Sequence, residues 1–299
     1  MLNIYEQVDR NKRRSMITIV LFAIFVAVVV YFLGQAFGYD QSFVGVALIF
    51  SGVSSFFGYW YSDKIILAVS RARPASKEEN FKFYTAAENL SIAAAIPIPK
   101  LYVIDDSAPN AFATGRDINH AVIVATTGLL DKLNKTEIEG VVGHEISHIR
   151  NYDMRLMSVV AVLVGMITLL SDWLLRSSWR RREDREEGNV GGIFLIVGFI
   201  LALLSPLIGQ LIQLALGRRR ELLADAGSAM LTRQPSGLIG ALKKISSDRE
   251  PLEAANKATA PLYIVNPLKG DEERVGWFAN LFNTHPPVEE RIKALEGMI

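Results

Sequence analysis

The stretch "VVGHEISHIRNYDMR", Val141 to Arg155, contains His144, Glu145 and His148 in the pattern H-E-x-x-H. On an α-helix, residues four apart lie one turn up the same face, so both imidazoles can aim at one ion. Glu145 falls about 100° round from His144, where it reaches a water beside the metal without ligating it. Two neutral nitrogen donors and a carboxylate base are the parts needed for metal-assisted hydrolysis. In "GRRRELLADAGSAM", Glu221 and Asp225 stand four apart on one helix face, with Glu221 73 residues after His148 (221 − 148). A carboxylate from Glu221 completes a His2Glu site with a fourth position open to water, and this donor set favours zinc without excluding other divalent ions. Asp225, one turn on, can orient a ligand histidine by accepting its other N–H. Taken alone, the same two acids read equally as a solvated pair beside a basic cluster.

The chain has no cysteine, which removes disulfides, thiolate zinc sites and iron–sulfur clusters and leaves His and carboxylates as the strong ligands. Only four histidines are present. His120 opens an apolar strand pattern and reads as structural. His285, before Pro286 and Pro287, reads from the sequence alone either as a helix-entry residue or as a functional group. Net charge is +1, so no long-range field points to nucleic acid.

These residues are separated by long apolar blocks. Ser15 to Tyr39 and Gln41 to Ser62 carry no charge apart from Asp40 in the turn between them. Leu156 to Leu175 is interrupted only by Asp172, and Gly188 to Gly217 is uncharged. Each reaches the length of roughly 20 residues that a membrane-spanning helix requires, which predicts four transmembrane helices. The first block, behind "RNKRR", is too long for a signal-peptide core and reads as an uncleaved anchor. Arg10, Lys12, Arg13 and Arg14 precede it, whereas Gly34 to Gln41 has no Lys or Arg, so the loops flanking the hairpin should be cytoplasmic. The five arginines between Arg176 and Arg185 run against the same rule and leave open whether the second hairpin crosses fully.

Between the hairpins the pattern turns α+β. Ser76 and Glu79 have capping-box spacing ahead of one helix, and Thr136 and Glu139 ahead of the helix bearing HEISH. "KLYVID", "NAFATG" and "HAVIVA" read as strands. The expected organisation is a transmembrane hairpin over 1–69, a cytosolic α+β segment over 70–154, a second hairpin over 155–217, and a helical segment over 218–299 that completes the site. Both ligand-bearing helices read as cytosolic continuations of apolar ones, and Gln210, Gln213, Gly217 and Glu221 fall on one stripe. That stripe suggests a polar groove entering the membrane region, or simply two glutamines bonding between helices.

HEISH after paired N-terminal spans, R-E-x-x-A-D after the fourth block, "NAFATG" and "THPPVEER" occur in an order that resembles the HtpX family along the whole chain. Those are integral-membrane zinc metallopeptidases of the bacterial stress response, distantly similar to the CAAX prenyl proteases of gluzincin type. The resemblance implies a mostly α membrane protein with a small zincin-like α+β domain facing the cytoplasm of a bacterial cell. It implies zinc on His144, His148 and Glu221, Asp225 in support, Glu145 as base, and His285 as donor to the oxyanion. It further implies that Asn110, Ala111, Phe112 and Ala113 form an edge strand along which an unfolded or membrane-protein substrate pairs. Leu222, where an aromatic often follows the glutamate, and Asn283, where a serine often precedes the threonine, depart from the family pattern and bear on pocket shape. A non-enzymatic membrane adaptor or chaperone with structural zinc is the alternative. A metal transporter fits less well, since it would place His and carboxylates inside the spans, which hold only Asp172.

Overall fold

In the computed structural model, residues 4–36, 43–162, 217–256, 259–267 and 286–298 are described. Among the described residues there are four strands: β1 (Arg73–Pro74), β2 (Lys100–Ile104), β3 (Ala111–Thr114) and β4 (Val122–Thr126). They form one mixed sheet in the order β1-β2-β4-β3, with β2 and β4 parallel and the two outer pairs antiparallel. β4, "VIVAT", is β-branched and buried at all five positions because it is central and covered on both faces. Its alternate side chains serve two cores. Ile123 and Ala125 join Phe83, Ile146, Ile149, Leu242 and Leu295 on one face, while Val122 and Val124 join Phe112, Leu156, Val160 and Tyr263 on the other.

The first core is closed by α4 (Phe81–Ala94), α5 (Thr127–Lys132) and α6 (Lys135–Arg150). α4 begins five residues after Ser76. Ser76 Oγ does accept from the Glu79 amide, at 3.3 Å, but the bond closes a turn over 77–80 instead of capping the helix. At α6 the capping box is Asn134 with Glu137, two residues before the expected pair. The Asn134 side chain accepts from the Glu137 amide at 3.0 Å and the Glu137 carboxylate from the Asn134 amide at 2.8 Å. An asparagine at the N-cap outcompetes a threonine two positions later because Thr136 already lies inside the helical turn.

The expected continuity into the apolar blocks fails at both ligand helices. After α6 the chain turns at Asn151 and Tyr152, the latter at φ 58°, before α7 resumes over 153–162. The next described helix, α8 (Arg218–Thr232), starts afresh from Gly217 at φ 37°. A left-handed residue cannot continue an α-helix, so each ligand helix is a separate rigid piece. α9 (Pro235–Ser247) packs over α6 and α8, and α10 (Val288–Glu296) over α8 and α9.

At the N-terminus, α1 (Ile4–Ala36) and α2 (Phe43–Trp60) pack together, with the Ser51 hydroxyl donating to the Ala23 carbonyl; α3 (Ser62–Val69) then leads to β1. Large apolar side chains on both stay exposed, among them Leu21, Ile24, Leu48, Ile49 and Phe50. Among the described residues, no helix is long and apolar enough to cross a membrane. The expectation of four crossing helices is corrected to that extent: the first two blocks form helices, and the rest of the third and the fourth up to residue 216 lie outside the described residues, with Gln210 and Gln213.

Candidate metal centre

α6 and α8 approach closely because their facing residues are small. A Cβ added at Gly143 would lie 2.9 Å from Ser228 Oγ on α8, and one at Gly140, on the same side of α6, would lie 2.5 Å from the Leu238 amide nitrogen on α9. Gly227 faces Ser147 just as closely, and Ser228 Oγ donates to the Gly140 carbonyl at 2.6 Å. This seam lets the two backbones come near enough for a short carboxylate on α8 to meet imidazoles on α6.

There His144 Nε2 and His148 Nε2 lie 3.1 Å apart, and Glu221 Oε2 and Oε1 lie 3.6 and 3.4 Å from them. All three side chains are buried, and their ligand atoms fall within 4.8 Å of one another. A tetrahedral ion bonded at about 2.0–2.2 Å separates its ligand atoms by about 3.3–3.6 Å, so the spacing fits zinc. The hydrogen-bonding frame points the same way. His144 Nδ1 faces Asp225 Oδ1 at 2.9 Å and His148 Nδ1 faces Asp153 Oδ2 at 3.4 Å. With both Nδ1 protons turned to carboxylates, two Nε2 lone pairs converge on one point, an arrangement that calls for a cation. Since His144 Nδ1 is a donor to Asp225, the 3.4 Å approach of Arg291 Nη2 to it is a contact and not a hydrogen bond.

The electrostatics of the metal-free pair reflect the same demand. Burial lowers His144 to about 4, helped by the charges of His148 and Arg291. For His148 burial works in the same direction, yet Glu221, Asp153 and Glu145 together outweigh it and hold the group at about 9. One imidazole of the pair thus carries a proton where an ion fits. Glu145, 2% exposed, is raised to about 7, chiefly by burial and further by Glu221, while His148, Arg291 and the Ala113 amide act against the rise. A carboxylate near neutrality is matched to accepting and returning a proton.

Three supporting residues were not singled out in the sequence. Arg291 on α10 holds Asp225 through Nε at 2.8 Å and Nη2 at 2.6 Å. Asp153 lies inside the opening stretch, five residues after His148, and its acidic side chain was the available signal. Asn11 on α1 donates to Asp153 and gave no signal at all. His285 lies outside the described residues. His120 is well away in role, bonded through Nδ1 to Asp117 at 2.7 Å near the surface.

Asn110 to Ala113 line the edge of the sheet, but the edge is not bare. Asn110 O accepts from Thr126 on the β4 side, so the neighbouring Ala111 O points outward, where it accepts from the Ile264 amide at 2.9 Å. Asn110 Nδ2 donates to Val265 O at 2.9 Å, and Phe112 stacks edge-on against Tyr263 at 4.9 Å. β3 is the outer strand of the sheet, as expected of an edge strand; all four of its residues are buried, and residues 260–265 cover part of the edge.

Comparison with known proteins accords with this geometry. The model of peptidase family M48 matches residues 77–299. The chain is 48% identical over 301 residues to a Protease HtpX homolog of Dictyoglomus thermophilum, covering 98% of this chain and 94% of that protein. It is 42% identical to a Protease HtpX homolog of Thermoanaerobacter pseudethanolicus, covering 99% and 98%. In fold it is similar to the crystal structure of S. mikatae Ste24p, with a TM-score of 0.52 and 21% identity over 97% of this chain and 66% of that one. By sequence along nearly its full length, and with a mostly helical fold around a small mixed sheet, the chain belongs to peptidase family M48 and to its HtpX proteases.

Proposed function

We propose that the protein is a membrane-embedded zinc endopeptidase that cleaves misfolded or damaged membrane proteins on the cytoplasmic side, as part of stress-response quality control. The single observation that carries the metallopeptidase reading is the convergence of His144, His148 and Glu221 at 3.1–3.6 Å. His144, His148 and Glu221 would hold a zinc ion, which would supply Lewis acidity toward the scissile carbonyl and an attacking water. Glu145, poised near 7, takes the proton from the attacking water and delivers it to the leaving amine. Asp225 and Asp153 fix the histidine tautomers so that both Nε2 atoms stay available. His285 is assigned to donate to the oxyanion. The substrate backbone pairs along β3 through main-chain bonds, which demand little of its sequence.

The membrane reading is supported by the uncharged blocks, the basic residues that flank the first hairpin, and the apolar side chains that α1 and α2 leave exposed. In this reading the apolar blocks hold the chain in the bilayer, and the site lies just above the inner leaflet. Incubating wild-type and Glu145→Gln protein in detergent with an unfolded membrane protein, with and without chelator, tests it. We expect Glu145→Gln to keep zinc and lose cleavage by several orders of magnitude; near-wild-type turnover would overturn the assignment.

A further inference from the structure

We propose that Asn11, on the first helix, is a positioning residue of the metal centre, acting on His148 through Asp153. This rests on the metallopeptidase reading. Asn11 is 4% exposed on a helix whose large side chains mostly face outward. Its amide nitrogen donates to the Asn151 carbonyl at 2.9 Å and to Asp153 Oδ1 at 2.8 Å, which uses both of its N–H bonds. The other oxygen of Asp153 is the one that faces His148 Nδ1, at 3.4 Å. Fixing Oδ1 therefore sets the plane of the carboxylate, and with it the direction in which the His148 ring is held.

The contact falls where the chain leaves the ligand helix. Asn151 and Tyr152 form the turn after α6, with Tyr152 left-handed, and Asp153 opens α7; α1 grips all three: Asn11 takes the first and third, and the Lys12 ammonium sits 4.5 Å over the Tyr152 ring. Arg220 Nη1, 3.6 Å from Oδ1, adds a charge from α8 at the same oxygen. Asp153 is thus shared by α1, the turn after α6, and α8. An asparagine suits the α1 position because it supplies two donors without adding charge beside a ligand histidine. The first helix is then part of the metal centre as well as an anchor, although 142 residues separate Asn11 from Asp153.

The test is zinc competition against a chromophoric chelator on the purified full chain in detergent, with melting temperature and peptidase kcat and KM measured on the same preparations. Removing partners that orient a metal-bound histidine typically costs 10–100-fold in affinity. Asn11→Ala is expected to bind zinc about tenfold more weakly and to lose kcat with little change in KM. Asn11→Leu, which keeps the bulk and removes the donors, should do the same and covers the case in which the alanine protein fails to fold. Because the effect runs through Asp153, Asn11→Ala with Asp153→Ala should bind no more weakly than Asp153→Ala alone. A lowered melting temperature with unchanged zinc affinity, or losses that add in the double variant, would overturn the proposal. Wild-type protein that takes up no zinc would sink the metallopeptidase reading together with it; wild type that binds zinc while both Asn11 variants bind equally well sinks this proposal alone.

Discussion

The guanidinium of Arg291 meets both carboxylate oxygens of Asp225, Nε to Oδ2 at 2.8 Å and Nη2 to Oδ1 at 2.6 Å, with each side chain 1% exposed. The fork leaves Oδ1 able to accept from His144 Nδ1 as well. Burial would otherwise drive Asp225 towards its neutral form; Arg291 first, and then His144, hold it below the usual carboxylate range instead. The remaining nitrogen, Nη1, donates to Ile264 O at 2.8 Å, and the Ile264 amide donates to Ala111 O on β3. One arginine on α10 therefore braces His144 and the sheet edge together.

Removing that arginine strands a buried carboxylate. Arg291→Met is expected to destabilise the protein by about 3–5 kcal/mol, the usual cost of breaking a buried pair from one side. Arg291→Lys keeps the charge but loses the two-point grip, so it should fall between the two. Denaturant unfolding of all three proteins is the measurement; a loss below about 1 kcal/mol in Arg291→Met would mean that Asp225 does not depend on the pair.

Zinc uptake should depend on pH in one direction. In the metal-free site His148 is held protonated up to about pH 9, whereas a ligand imidazole must be neutral. The ion has to expel that proton, so affinity should rise by up to about tenfold per pH unit between pH 6 and 8 and level off near 9. Calorimetry in two buffers of different ionisation enthalpy should show about one proton released from His148. Affinity that stays flat across this range without proton release would contradict the electrostatics of the pair.

The seam between α6 and α8 tolerates no added bulk. A Cβ at Gly227 collides with Ser147 Oγ and comes within 2.9 Å of Ser147 Cβ, which has no room to move inside a helix. Gly227→Val should cost about 1–3 kcal/mol by overpacking. It should also weaken zinc binding, because Glu221 is carried away from the histidines. A folded Gly227→Val protein with wild-type zinc affinity would show that the approach of the two helices is not what places the third ligand.

A substrate strand on β3 must displace the Ile264 amide from Ala111 O. Hydrogen exchange on Glu145→Gln protein, with and without a bound peptide, reads this directly. The Ile264 amide should lose protection when peptide binds, while the Val124 amide, inside the β3–β4 pairing, should not. Unchanged protection at Ile264 would place the substrate elsewhere.

Much of this protein was legible before folding was considered. His144, Glu145 and His148 are neighbours in sequence, so helical periodicity alone puts the two imidazoles on one face. Likewise "HAVIVA" and "KLYVID" declare strands through β-branching, and the first two uncharged blocks declare helices. Glu221 and Asp225 were visible as a pair with helical spacing, but nothing local distinguished them from a solvated pair. What separated the readings was the Gly and Ser seam, a property of two helices and not of either one.

Tertiary structure alone decided the supports. Asp153, Arg291 and Asn11 reach the site from the turn after α6, from the last helix and from the first. Their hydrogen bonds join residues 5, 66 and 142 positions apart, and no periodicity encodes such separations. The breaks at Tyr152 and Gly217 were also hidden, since a single left-handed residue leaves no mark on an apolar pattern. Sequence determines which chemistry a short helix can offer, because spacing along the chain is spacing on its face. Which charges surround that chemistry, and so which proton or ion it holds, follows only from packing distant segments into one buried volume.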